Sequence, residues 1–264
     1  HQLPQQRADG SEEQEGVGVR RLDAGRNRGK LEIVVESETS LEAWLPELEA
    51  MLRKKGDGNL LSLVQHVTDG ADFFYVRQNL PLGLGHAVLR SMDLVGQEPF
   101  AVILSDDVID APVPVLQQMI AAYEKHSAGA VLAIQKVPRE AVSRYGIIQG
   151  KRIADGVFEV TDMVEKPKPE RAPSDLAIIG RYLLPPSIFP ALLATKPGAG
   201  GEIQLTDAIR SLIGKERIIG FEFEGVRYDA GTKLGFQMAN VAFSLKDPEI
   251  GQGLRTFLRK EKLT

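Results

Sequence analysis

Three acidic positions stand where an α/β protein could hold a cation. Asp106 and Asp107 follow the apolar run Phe100 to Leu104, and Asp229 sits in the turn Tyr228-Asp229-Ala230-Gly231-Thr232. Carboxylates at the carboxyl end of a buried strand lie where such sheets bind ligands. Hard divalent ions such as Mg²⁺ take one or two carboxylates together with phosphate oxygens. If the strand continues through Asp106 and Asp107, their side chains point to opposite faces, and only one of them faces the crevice. The same residues also suit a turn or a helix cap, and Asp229 is placed to cap a helix starting near Thr232.

A second group of residues could handle a flat or anionic ligand. In Arg77-Gln78-Asn79-Leu80-Pro81-Leu82-Gly83-Leu84-Gly85-His86-Ala87, two glycines stand between a strand-like run and an apolar helical pattern. Backbone without a Cβ lets a base or phosphate come close. Glu165-Lys166-Pro167 ends another strand-like run. There a carboxylate could accept hydroxyl hydrogen bonds while the ammonium holds a phosphate. Gly146 interrupts a strand, as at a bulge or a close ligand approach. Glu202 lies near a helix N-terminus, where the dipole favours it whatever its role. His66 and His126 read as surface residues at helix ends, and His86 as packing at its turn. No pair of histidines has metal-ligand spacing, and no Ser-His-Asp arrangement is present.

The elements that position these residues follow from hydrophobic period. Residues 41–67 carry helical spacing broken at Gly56-Asp57-Gly58, with Trp44 packing on the helix pair. Strands over 73–78, 99–104 and 129–136 alternate with helices over 84–93 and 113–126. That order implies βαβ units and a mostly parallel sheet. Residues 145–149 and 157–164 read as antiparallel hairpins inserted near the sheet. A strand over 176–184, helices over 187–193 and 202–213, and a strand pair over 217–228 follow. Two C-terminal helices, 232–245 and 248–260, close the pattern. The fold class read from this pattern is α/β, a mostly parallel sheet with small hairpin insertions and C-terminal helices.

Bulk properties narrow the function. The 264 residues carry 32 basic and 36 acidic side chains, a net charge of −4, with no basic patch for nucleic acid. Cysteine is absent, which removes thiol nucleophiles and thiolate metal sites. No apolar run approaches the roughly 18 residues of a membrane span, so a cytoplasmic protein is expected. Residues 1–40 are poor in large apolar side chains and are expected to be poorly ordered, leaving 41–264 as one domain.

In order and spacing, VRQNLPLGLGHAVL, EPFAVILSDD, YGIIQG, VEKPKP, AIIGRYLLPPSIF, GGEIQLTDAI and YDAGTKLGF resemble the bacterial UTP–glucose-1-phosphate uridylyltransferases of the sugar-nucleotidyltransferase superfamily. The first and sixth strings favour the uridylyl over the thymidylyl branch. The resemblance spans about residues 72 to 245 and implies a doubly wound mixed sheet of Rossmann-like type, a homo-oligomer (dimer or tetramer) and Mg²⁺. It also implies displacement of pyrophosphate from UTP by glucose 1-phosphate to give UDP-glucose. Gln78 would bind the uracil edge and Gly83 would lie against the base. Asp106 and Asp229 would hold Mg²⁺, with Asp106 also serving the nucleotide phosphates. Gly146 would line the sugar pocket, Glu165 would accept glucose hydroxyls, Lys166 would neutralise the sugar phosphate, and Glu202 would form part of the wall. One family feature has no counterpart in residues 1–71: the glycine-rich loop GLGTRFLPxTKxxPKE that cradles the triphosphate. Its absence predicts a feeble catalyst or, alternatively, a homologue that binds a sugar nucleotide without efficient turnover.

Overall fold

The computed structural model describes residues 17–21, 31–33, 41–69, 71–74 and 76–263. The first elements are strands β1 (Val17–Arg21) and β2 (Leu31–Ile33), helices α1 (Leu41–Lys55) and α2 (Gly58–Asp69), and strand β3 (Ala71–Phe73). Next come α3 (Leu84–Arg90), α4 (Met92–Val95), β4 (Phe100–Leu104), β5 (Asp107–Asp110), α5 (Val115–Lys125) and β6 (Ala130–Lys136). The hairpin β7 (Gly146–Ala154) and β8 (Val157–Glu165) precedes β9 (Leu176–Leu184), α6 (Ile188–Ala194) and α7 (Leu205–Arg210). Strands β10 (Ile218–Glu222) and β11 (Val226–Asp229) and helices α8 (Lys233–Lys246) and α9 (Gly251–Lys260) complete the order.

Seven strands form the central sheet in the order β1-β4-β9-β6-β10-β8-β7. Its inner strands β4, β6 and β9 are apolar on both faces, as expected when helices cover both sides. Phe100, Val102 and Leu104 of β4 face one layer with Val88, Phe189, Leu192, Leu205 and Ile209. Ala101, together with Val131 and Ala133 of β6, faces the other layer with Val115, Met119 and Ala122 of α5. The period-2 alternation of the strands thus splits the core between α3, α6 and α7 on one side and α5 on the other. Phe100 stacks on Phe189 with ring centroids 5.1 Å apart. This is the doubly wound α/β arrangement expected.

The direction of the strands differs from the expectation. Within the seven-stranded sheet the described parallel ladder is β6–β10, and the other ladders are antiparallel. Strand–helix alternation reports which elements succeed one another, but not that β9 returns to slot between β4 and β6. The hairpin β7–β8 is not an appendage either, because β8 pairs with β10 and extends the sheet. The strand pair over 217–228 is two strands in two sheets: β10 is central, whereas β11 pairs with β5. The strand over 73–78 is shorter, ending at Phe73, and the helix over 84–93 divides at Ser91, whose hydroxyl donates to Val88 O at 2.7 Å.

Within residues 1–40, expected to stay out of the fold, 17–21 and 31–33 form strands. β1 runs antiparallel along β4, from Val17 opposite Leu104 to Arg21 opposite Phe100. An apolar strand such as β4 with an open edge would leave backbone groups unpaired, and β1 satisfies them. Helices α1 and α2 flank the predicted break at Gly56-Asp57-Gly58; the side chains of Trp44 and His66 lie outside the described ones.

Candidate active site

The two adjacent aspartates have separate fates because the strand does not continue through them. β4 stops at Leu104, the chain turns at Ser105-Asp106, and β5 starts at Asp107. Asp107 turns inward and is buried. Its Oδ2 accepts from Gly180 N at 2.8 Å, and its Oδ1 is paired with the buried Arg227 guanidinium. Arg181 donates to Leu104 O and Gly180 O at 2.7 and 2.8 Å, and also to Asp107 O. These bonds tie the turn to β9 and leave Asp106 as the carboxylate that faces outward.

Asp106 and Asp229 converge because β5 and β11 pair antiparallel, with Asp229 opposite Asp107. Ala230 N donates to Asp106 O at 2.8 Å, locking one turn to the other. A Cβ placed on Gly231 would lie 2.7 Å from Asp106 Oδ2 and 3.4 Å from Asp229 Oδ1, so both carboxylates reach the same small volume. Asp106 Oδ1 is buried and has no hydrogen-bond partner. Burial, followed by the neighbouring Asp107 and Asp229 charges, holds the Asp106 carboxyl above the usual carboxylate range. Asp229 does not cap the next helix. Thr232 does so, its Oγ1 accepting from Gly235 N at 3.0 Å. The Asp229 carboxylate instead receives Arg144 Nη2 at 2.6 Å.

One stability prediction follows. The folded protein binds a proton at Asp106 more tightly than the unfolded chain does, so the ionised carboxylate costs stability above the unfolded pKa. That cost disappears as pH falls through the raised, folded-state value. Asp106→Asn is therefore expected to raise the melting temperature at neutral pH, with a gain that shrinks in mild acid. A gain that is the same at both pH values in thermal unfolding would contradict the electrostatic cause.

A second wall stands at the start of β7. Glu165 ends β8 opposite Gly146, and Thr206 of α7 donates its hydroxyl to Glu165 Oε2 at 2.6 Å. A Cβ on Gly146 would come within 2.9 Å of Thr206 Oγ1 and 3.1 Å of Glu165 Oε2, so only glycine leaves that space open. Lys166 adopts a left-handed φ of 43°, uncommon outside glycine, and its N–H donates to Tyr145 O at 2.9 Å. The ammonium stays exposed, 3.9 Å from Glu165 Oε1. Thr206 escaped the sequence reading; its signal was only its place in the GEIQLTD string.

The third part is the loop from Gln78 to Gly85. Gln78 Nε2 donates to Gly83 O at 3.2 Å and lies 2.8 Å from His86 Nδ1, so His86 orients the glutamine. Gly83 holds φ 86°, and a Cβ there would sit 2.7 Å from Glu202 Cβ. Glu202 therefore stands against the Gln78–Gly83 loop, and its Oε2 accepts from Gln204 Nε2 at 3.0 Å. Ile203 N donates to Leu82 O at 2.7 Å, and Gly85 N donates to Ile203 O at 2.9 Å. This short ladder links the loop to α7, which carries Thr206. Gln78, Gly83 and Glu202 thus form one end, and Gly146, Glu165 and Thr206 the middle. Asp106 and Asp229 form the other end, joined to the middle through Arg144 and Tyr145.

Comparison with known proteins shows the family. Residues 49–243 match the nucleotidyl transferase family. A UTP–glucose-1-phosphate uridylyltransferase of Staphylococcus epidermidis is 45% identical over 214 residues, covering 81% of this chain and 74% of the relative. The chain belongs to the UTP–glucose-1-phosphate uridylyltransferase family. A uridylyltransferase of Staphylococcus saprophyticus is likewise 45% identical over 217 residues, covering 82% and 75% of the two chains. Among solved structures, a UDP-glucose pyrophosphorylase complexed with UDP-glucose matches with TM-score 0.69 and 46% identity over 73% of each chain. A UTP-bound enzyme from Acinetobacter baumannii matches with TM-score 0.74 and 33% identity, over 84% of this chain and 79% of that one. Among the described residues no helix is long and apolar enough to cross a membrane.

Proposed function

We propose that this chain forms UDP-glucose and pyrophosphate from UTP and glucose 1-phosphate by in-line displacement at the α-phosphorus. The observation that carries the reading is the convergence of Asp106 and Asp229, linked through Arg144 and Tyr145 to the Gly146–Glu165–Thr206 wall, in a chain 45% identical to uridylyltransferases. Gln78 and the Gly83 backbone hold the uracil. Glu165, oriented by Thr206, accepts glucose hydroxyls in the space that Gly146 leaves open. Lys166 meets the sugar phosphate, and Glu202 supports the loop on which the base rests. No covalent intermediate with the protein is needed, because orientation and charge neutralisation supply the rate.

The acidic pair fits a hard cation such as Mg²⁺. Asp106 has a buried oxygen without a partner and a carboxyl destabilised by its acidic neighbours, a condition that a divalent charge relieves. Two carboxylates leave the remaining coordination positions to phosphate oxygens and water. Bound there, the cation would neutralise charge on the triphosphate.

Thr206→Val tests the sugar wall. Removing the hydroxyl that holds Glu165 is expected to raise KM for glucose 1-phosphate about five- to tenfold while KM for UTP stays near its original value. Equal changes in both would detach Glu165 from sugar recognition. A homo-oligomer is part of the same proposal, because Leu234, Met238 and Val241 expose an apolar stripe at helical spacing on α8. Light scattering should report a dimer or tetramer, and a monomeric mass would remove that part.

The test also admits a second reading. In that reading the chain binds the sugar nucleotide without efficient turnover. Calorimetric titration with UDP-glucose, with and without Mg²⁺, combined with a pyrophosphate-release assay, separates the two. Binding with turnover supports the uridylyltransferase, binding alone supports the second reading, and neither overturns both.

A further inference from the structure

Three arginines surround the acidic pair, and they are held very differently. Arg227 is buried on Asp107, with its side chain 11% exposed, and Arg181 is committed to three main-chain carbonyls. Arg144 closes the 3₁₀ turn Arg139–Arg144 ahead of β7, and its side chain is 53% exposed. Among the described residues its side chain donates to Asp229 Oδ2 at 2.6 Å, and its guanidinium carbon lies 5.6 Å from the Tyr145 ring centroid. An exposed pair of this kind contributes little stability and can be broken at small cost. Tyr145 is also the residue whose carbonyl receives Lys166 N, so Arg144 lies at the junction of the acidic pair and the Glu165–Lys166 wall.

Asp229 therefore has two claimants. A divalent cation needs its negative charge, and it would repel a guanidinium only a few ångströms away. We propose that Arg144 is a displaceable counter-ion of Asp229, seated on the carboxylate when the cation is absent and released to a substrate phosphate oxygen when the cation arrives. The Tyr145 ring, with the Arg144 guanidinium carbon 5.6 Å and the Arg227 guanidinium carbon 5.3 Å from its centroid, offers the released guanidinium a π face beside the acidic pair. The same arginine balances the acidic pair in the empty protein and adds a phosphate donor in the loaded one. This inference rests on the reading of Asp106 and Asp229 as the cation site.

The test uses Mn²⁺ as the probe, with free Mn²⁺ measured by electron paramagnetic resonance on the full chain without nucleotide. Arg144→Ala is expected to bind Mn²⁺ about two- to fivefold more tightly, because a competing positive charge has gone. A merely structural role would weaken binding rather than tighten it. Arg144→Lys, which keeps the charge, is expected to return the affinity toward that of the unaltered chain. With Mg²⁺ saturating, Arg144→Ala should raise KM for UTP about tenfold. Asp229→Asn separates the two levels of the argument. If it weakens Mn²⁺ binding while Arg144→Ala leaves it unchanged or weaker, the counter-ion role is overturned and the cation site stands. If Asp229→Asn leaves Mn²⁺ affinity unchanged, the cation site falls and the counter-ion role with it. Tighter Mn²⁺ binding with an unchanged KM for UTP overturns the transfer to phosphate.

Discussion

Asp106→Ala is expected to lower pyrophosphate release about a thousandfold while leaving the protein folded. The carboxylate sits at the end of β4, beside Asp229, with a buried oxygen that no protein donor satisfies. Burial and the neighbouring Asp107 and Asp229 charges make this carboxylate a net cost to folding, so its removal is not expected to unfold the chain. It does contribute the negative charge on which a divalent ion and the triphosphate depend, and such charge stabilisation supplies several kcal/mol of barrier lowering. At about 1.4 kcal/mol per tenfold in rate, the loss falls near three orders of magnitude. Steady-state assays at saturating Mg²⁺ check it, alongside circular dichroism to show that the fold is intact. A loss of less than tenfold would remove Asp106 from the chemistry.

The neighbouring position behaves in the opposite way. Arg227→Met is expected to cost about 3–5 kcal/mol of folding stability, because it leaves the Asp107 carboxylate buried without its counter-charge. For a chain of this size that corresponds to a fall of roughly 6–20 °C in melting temperature. The methionine keeps most of the side-chain volume, so loss of packing is a small part of the effect. Adding Asp107→Asn should recover more than half of the loss. The amide oxygen can still accept Gly180 N–H, and no charge then remains buried. Urea unfolding of the single and double variants measures both values. A single variant within about 1 kcal/mol of the parent would show that the ion pair is not needed to hold the turn.

These two variants mark where local information ends. The strands over 100–104, 130–136 and 176–184 were legible because apolar runs of that length, bounded by Gly, Pro and Asp, have few other solutions. Helix α5 was legible because Val115, Leu116, Met119 and Ala122 fall on one face. The residue strings of the candidate site were legible because each of its turns is local: Gln78 to Gly83, Gly146, Glu165-Lys166, and the two acidic turns.

Four decisions belonged to the tertiary structure. Which of Asp106 and Asp107 faces outward depends on Arg227, 120 residues away from Asp107, and on β9 packing against the turn. Thr206 joins Glu165 across 41 residues, and Arg144 joins Asp229 across 85. Strand direction was decided by where β9 and β8 entered the sheet, so strand–helix alternation overstated the parallel content. Period and composition record what each segment buries, so the sequence by itself determined most of the elements, and the order of its short strings carried the family resemblance and the candidate site motifs. Partners distant along the chain leave no periodic trace, so only the folded arrangement decided which charged groups neutralise one another and which remain available for a ligand.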